Sequence, residues 1–367
     1  MADRPQFQPT LVDASVHVFF RSSRDLADHL REPFKSRGYP DPDVAWFAPP
    51  GPRYAPGTEG PDGTHPGADP EQTGRAVLDQ GGAGLAILHP MSVAGILPDW
   101  HLGSAIFAAT NQMLADRWLD SGTYAGRFRG TIRVNPNDID GAVKEIKRWQ
   151  DHPRMVQIGL PLQTQEPYGR PKYKPLWRAA CDAGLPVAVH VEMGVGITHP
   201  PTPSGITRTY SHHASYQPTT YIWHLLNMIA EGVFEEFSEL KVVWADGAAD
   251  MVTPFIWRMD TFGRPHLEQT PWAPEMPSSY LPDHVYFVHS RMDGPGQAPF
   301  ADEWLKMTGK EDMLLFGSSY PDWQLVTPGD LPAAWSPEQR AKVLAGNAAR
   351  LYRLGTPVPA PLTASTG

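Results

Sequence analysis

The sequence predicts one α/β domain, a (β/α)8 barrel with a long Pro/Gly-rich surface insertion, and three observations carry that prediction. Short apolar runs alternate with longer amphipathic stretches, the pattern of repeated βα units around a parallel sheet. Eight of the runs read as strands, the number a closed barrel needs. The chain has 367 residues, 41% of them apolar, enough to build and fill one barrel of about 250 residues plus insertions.

In chain order the strands are expected over Thr10 to Val18, Leu85 to Leu88, Gly130 to Val134, Met155 to Leu160, Val187 to Val191, Val242 to Ala245, Val285 to Val288 and Met313 to Phe316. Between and after them the amphipathic stretches Gly103 to Ser121, Ile139 to Gln150, Tyr173 to Ala183, Thr219 to Phe237, Asp250 to Phe262, Ala298 to Met307 and Pro337 to Leu354 read as helices. Two segments break the alternation. Residues 38 to 74 are dense in Pro, Gly and Asp and are expected as a surface excursion without a core of its own. The tail over 355–367, rich in Pro, Ala and Thr, is expected to be flexible or draped on the surface, leaving 1–354 as a single barrel domain.

Composition narrows the partners. A formal charge of −9 argues against nucleic acid or an anionic membrane, since neither is drawn to a net-acidic surface, and leaves small neutral or cationic ligands open. Cys181 is the only cysteine, which excludes an intramolecular disulfide and a thiolate metal cluster. No apolar run approaches the ~18 residues needed to span a bilayer, and the first residues lack the apolar stretch of a signal peptide. A cytoplasmic protein is therefore expected.

In a (β/α)8 barrel the reacting groups collect at the C-terminal ends of the strands, so polar residues that end apolar strands are the candidates. The first strand offers Asp13, Ser15 and His17, the fifth His190, the sixth Asp246, the seventh His289, and the eighth Ser319 with Asp322 beyond it. Ser15 and His17 stand two apart on a strand, so their side chains share one face and address one point, a spacing that suits a metal. Asp13 has the same even spacing but sits earlier on the strand and deeper in the barrel, which makes it the weaker candidate. His89 and His289 end their strands where a substrate would meet them. Arg170 and Tyr173 follow the fourth strand and suit an anionic or aromatic ligand, with capping of the next helix as the alternative. Trp323 neighbours the eighth-strand loop and is a candidate substrate contact. His212 and His213 line either the barrel mouth or a surface loop.

Five segments in order resemble a known family: Val12 to His17, Gly184 to His190, Gly232 to Phe237, Pro254 to Asp260 and Asn347 to Tyr352. They are similar to the amidohydrolase-related family of metal-dependent hydrolases and decarboxylases, over a span from about Leu11 to Leu354. The resemblance implies a distorted (β/α)8 barrel with one divalent metal, commonly zinc or manganese. It also implies two ligands from the first strand, a histidine from the fifth and an aspartate from the eighth. A histidine or acid on the sixth strand would help to activate the metal-bound water or handle a proton. Carried over, His17 and His190 match metal-ligand positions and Asp246 matches the sixth-strand acid. Ser15 and Ser319 fall at the two carboxylate positions and are not carboxylates. The family usually reads Ser-Asp-Tyr-Pro-His where this chain has Ser318 to Asp322.

A neutral hydroxyl neither cancels the charge of a divalent cation nor donates to it strongly, and two histidines alone make a weak site. Losing the eighth-strand aspartate also removes the group that takes the proton from metal-bound water. The expected function is an amidohydrolase-type enzyme acting on a small molecule, by hydrolysis of an ester, lactone or amide or by non-oxidative decarboxylation. Its metal would be weakly bound or absent, with His17, His190, Asp246 and Asp322 available for acid/base work. The alternative is an inactive subunit that pairs with an active, metal-containing paralogue; a homodimer is the other assembly left open. In a third reading zinc or manganese still binds through His17, His190 and a substitute acid, Asp246 or Asp322.

Overall fold

The computed structural model describes residues 10–22, 24–36, 54–60, 62–92, 94–164, 166–192, 209–245, 247, 249–289, 298–323 and 325–354. The strands are β1 (Val12–Val18), β2 (Leu85–Pro90), β3 (Phe128–Arg133), β4 (Met155–Pro161), β5 (Val187–His190), β6 (Val242–Ala245), β7 (Val285–His289) and β8 (Leu314–Phe316). They lie side by side in chain order, each parallel to the next. Val16 bridges Tyr320, and the His17 amide donates to the Tyr320 carbonyl at 2.8 Å, which draws the sheet round into a barrel. A helix follows each strand: α1 (Pro70–Thr73), α2 (Trp100–Leu114), α3 (Ile139–Trp149), α4 (Lys174–Ala183), α5 (Tyr210–Ala230), α6 (Val252–Gly263), α7 (Ala298–Thr308) and α8 (Pro337–Ala341). The expected (β/α)8 architecture is the observed one.

Local chemistry sets the helix ends. Asp99, Asp138 and Ser336 each accept from a backbone amide three residues on, at 3.0, 3.0 and 3.2 Å, satisfying donors that the first helical turn leaves unpaired. Gly184 ends α4 at φ 62, a left-handed conformation that glycine adopts without strain. Helix α5 begins nine residues before the expected Thr219: the Thr209 hydroxyl caps the His212 amide and the helix runs through Pro218. It stops at Ala230, because Gly232 turns left-handed at φ 70 before a separate short helix, Val233–Glu236.

The insertion is anchored to the barrel where it is described. Pro66, Gly67 and Ala68 are buried, and the Phe19 amide donates to the Gly67 carbonyl at 2.8 Å. A Cβ on Gly67 would lie 2.7 Å from the His17 carbonyl, so only glycine permits this close approach. The segment thus packs on the end of β1. Residues 38–53 of the insertion and the tail over 355–367 lie outside the described residues.

One irregularity positions the site. The pairing of β1 with β2 shifts register between Asp13 and Val16. Before the shift, Val12 and Ala14 pack with Leu85, Ile87, Ala188, Val243 and Ala245 inside the barrel; after it, Val16 and Val18 join the outer core with the helices. Side chains alternate along a strand, so this bulge is what turns Ser15 and His17 inward. The Asp13 carboxylate holds it: Oδ1 accepts from the Ser15 amide at 3.1 Å and from the Ser318 amide, beyond β8, at 3.0 Å. Removing that acceptor strands two buried amides. Asp13→Ala is expected to lower stability by roughly 3 kcal/mol in urea denaturation, and Asp13→Asn, which keeps an oxygen acceptor, by less.

Candidate active site

His17 and His190 meet at the C-terminal end of the barrel. Both are buried, their Nε2 atoms are 3.0 Å apart, and the rings stand edge to face at 72° with centroids 4.8 Å apart. At that distance one Nε2 donates and the other accepts, so the pair holds one imidazole as a proton donor and one as an acceptor. The Ser15 hydroxyl lies 3.2 Å from the same Nε2 of His17. The sequence spacing of Ser15 and His17 therefore has the predicted consequence, and the fifth-strand histidine closes on them.

The loop after β8 is built against this cluster. A Cβ on Gly317 would lie 2.9 Å from the Ser15 Cβ and 2.3 Å from Val288, so β8 reaches β1 here only because the residue is glycine. The Ser318 hydroxyl accepts from the Tyr320 amide at 3.1 Å, and the Ser318 carbonyl accepts from the Val326 amide at 3.0 Å. Ser319 itself has φ 57, a left-handed backbone that serine adopts at a cost and that aspartate tolerates better. The backbone at 319 remains suited to the residue the resemblance places there.

His89 lies beneath His190, with ring centroids 5.2 Å apart. Its Nε2 is 3.1 Å from the Ala14 carbonyl and 3.1 Å from Gln157 Nε2. Gln157 also donates to Thr131 Oγ1 at 2.9 Å and accepts from the Tyr352 hydroxyl at 2.8 Å. His89 thus braces the bulged strand from below. His289 is buried at the end of β7 beside Trp335, ring centroids 5.6 Å apart, and burial pushes its pKa down to about 4. His224 in α5 is pushed to about 4 by burial, partly offset by its hydrogen bond to the Leu162 carbonyl.

The other candidates separate. Arg170 is half exposed and ion-paired with Glu231 at 3.3 Å and Glu166 at 3.7 Å, so its charge is spent on the surface. Tyr173 is buried with Tyr168 and Trp177, its hydroxyl 3.0 Å from Thr164 Oγ1, and belongs to the core at the start of α4. Neither joins the histidine cluster, because both sit on the helix side of the fourth βα loop. Asp322 lies in the turn after Ser319, its amide donating to the Ser319 carbonyl at 2.8 Å, and its backbone bridges Tyr54. Trp323 is half exposed. His212 is exposed near the start of α5. Asp246 lies outside the described residues.

Sequence reading missed a buried ion pair at this end of the barrel. Arg133, the last residue of β3, gives its Nη2 to Glu192, two residues beyond His190. Glu192 also accepts from the Ser92 amide at 3.1 Å, and its own amide donates to Gln163 at 3.2 Å. The signal was present: Thr131 and Arg133 alternate with Gly130 and Ile132 just as Ser15 and His17 alternate with valines, which places two polar side chains inward.

The amidohydrolase family model matches residues 12–354. The chain belongs to the amidohydrolase family. No curated protein matches this amidohydrolase in sequence. Among solved structures it is similar to an amidohydrolase from Mycobacterium avium subsp. paratuberculosis K-10, with TM-score 0.72 and 20% identity over 97% of this chain and 100% of that one. It is also similar to 5-carboxyvanillate decarboxylase from Sphingomonas paucimobilis, with TM-score 0.65 and 20% identity over 94% of this chain and 98% of that one. A third is a dihydroxybenzoic acid decarboxylase from Polaromonas sp. JS666 with bound manganese and the inhibitor 2-nitroresorcinol, with TM-score 0.66 and 20% identity over 94% and 97%. At these identities the likeness is one of fold.

A divalent metal is the group the family brings to mind, and the donor set decides whether it fits. His17 and His190 converge through Nε2, but Ser15 adds only a neutral hydroxyl. Among the described residues no three His, Cys, Asp or Glu side chains gather as a metal site, so neither Asp13 nor Asp322 supplies the missing carboxylate. This described set does not fit a tightly held divalent metal, which needs three strong donors besides water.

Two outcomes follow from this geometry. Ser15→Asp with Ser319→Asp, the second on a backbone already shaped for it, is expected to bind zinc or manganese stoichiometrically by elemental analysis, where the unaltered protein loses metal on desalting. For acid stability, His224 and His289 take a proton near pH 6.5 when unfolded and near pH 4 when folded. The unfolded state therefore binds more protons in that window, and stability present above pH 6.5 is lost as the pH falls toward 4. The urea midpoint should drop across that window, and less steeply in His289→Leu.

Proposed function

We propose that this amidohydrolase is an enzyme that transforms a small molecule by acid/base chemistry centred on His17 and His190, without dependence on a tightly held metal. The observation that supports this best is the 3.0 Å contact between the two Nε2 atoms in a buried setting. A paired donor and acceptor supply a general acid and a general base at once. In hydrolysis of an ester, lactone or amide, the accepting imidazole takes a proton from water as it attacks the carbonyl, and the donating one protonates the leaving group. In non-oxidative decarboxylation, the donating imidazole protonates the ring carbon and the carboxylate then leaves as carbon dioxide. The names of the solved decarboxylases make ring carboxylic acids the first substrates to assay. Asp246 and Asp322 are assigned auxiliary acid roles, and His289 and Trp323 contacts to substrate.

The absence of a third strong donor among the described residues equally suits an inactive subunit held to an active, metal-containing paralogue. Turnover separates the two. Activity of the isolated chain is expected to survive chelator and to fall by about 10²- to 10⁴-fold in His190→Ala. A folded chain inert toward ring carboxylic acids, esters, lactones and amides, which gains activity only with an aspartate-bearing homologue, would support the subunit reading.

A further inference from the structure

The Arg133–Glu192 pair is used by nothing in the proposed chemistry, and it is incompletely satisfied. Arg133 is fully buried, and among the described residues its five N–H donors have one side-chain partner, Glu192, at Nη2. Its Nε and Nη1 are buried with no hydrogen-bond partner among the described residues. The environment fixes the guanidinium rather than leaving it to swing. Phe107 lies 5.2 Å from it, face on, and the side chain runs along Gly159, where an added Cβ would come within 3.1 Å of Cδ and 3.4 Å of Nη1. Glu192 cannot turn to cover the open nitrogens without leaving the Ser92 amide. A buried donor without an acceptor is costly, more so when charged, so native proteins keep such groups where water, an ion or a ligand supplies the oxygen.

We infer that Arg133 is a ligand-binding residue that takes a carboxylate of the small molecule through Nε or Nη1, with Glu192 fixing its orientation. The inference rests on the reading of this barrel end as a small-molecule site. Arginine ends β3 on the catalytic face of the barrel, and its partner follows His190 by two residues, so both groups serve one mouth. The carboxylate held here is an anchor and not the reacting group. Hydrogen bonds from a guanidinium stabilise the ionised carboxylate before reaction, and loss of carbon dioxide would have to break them. The ligand thus carries a carboxylate in addition to the bond that reacts.

The test is binding, which needs no turnover and so fails or succeeds apart from the proposed chemistry. Benzoate and its neutral amide, benzamide, are titrated calorimetrically into the whole protein. Benzoate is expected to bind and benzamide to bind at least tenfold more weakly; Arg133→Lys, which keeps a charge for Glu192 but loses the planar donors, should weaken benzoate at least tenfold. A crystal structure of the unaltered protein with benzoate should place a carboxylate oxygen within hydrogen-bond distance of Nε or Nη1, which keeps the test open if the variant does not fold. Failure of benzoate to bind, equal binding of benzamide, or a carboxylate seated elsewhere would overturn the inference. Carboxylate binding in a protein without turnover would leave Arg133 assigned and remove the proposed chemistry.

Discussion

The Asp13 carboxylate accepts hydrogen bonds from the Ser15 and Ser318 amides, and in doing so it ties the bulge of β1 to the loop that follows β8. The rest of the site depends on that tie. Without the register shift, strand alternation would leave Ser15 and His17 facing the helices, and the valines that now pack outward would fill the barrel end. Gly317 and Gly67 make the same arrangement possible sterically, each bringing a backbone against β1 where a Cβ would collide. His89 adds a further brace at the Ala14 carbonyl. A strand that is locally irregular is thus held from three sides, by an acid, two glycines and a histidine.

What the brace presents is a pair of buried imidazoles, edge to face at 72°. Their Nε2 atoms lie 3.0 Å apart, within reach of one shared proton. Ser15 is fully buried and Ser319 half-buried, and neither adds a negative charge beside the histidines. Arg133, also buried at this end of the barrel, keeps its counter-ion in Glu192.

Much of the barrel was legible in the sequence because burial on both faces writes strands as short valine- and leucine-rich runs, and β6 falls where it was expected, over Val242–Ala245. The convergence of His17 with His190 was legible from strand ends. The bulge was not, since a register shift leaves no compositional mark. Asp13 was therefore read as a weak, deep ligand candidate, when its carboxylate is engaged by two amides. The partners of Arg170 and Tyr173 were not legible, because a loop residue gives no sign of which way it faces; local carboxylates hold the first and aromatics the second. Arg133 and Gln157 are marked in the sequence only by inward alternation, since a single arginine or amide in an otherwise apolar strand carries no motif.

The central claim is that His17 and His190 share a proton directly. The most direct measurement is nitrogen NMR of the imidazoles in protein labelled at histidine, looking for scalar coupling across the hydrogen bond between the two Nε2 nuclei. The account predicts such a coupling, present in chelator-treated protein and abolished in His190→Gln. Uncoupled Nε2 resonances that shift together only when zinc or manganese is added would contradict it and return the site to metal chemistry.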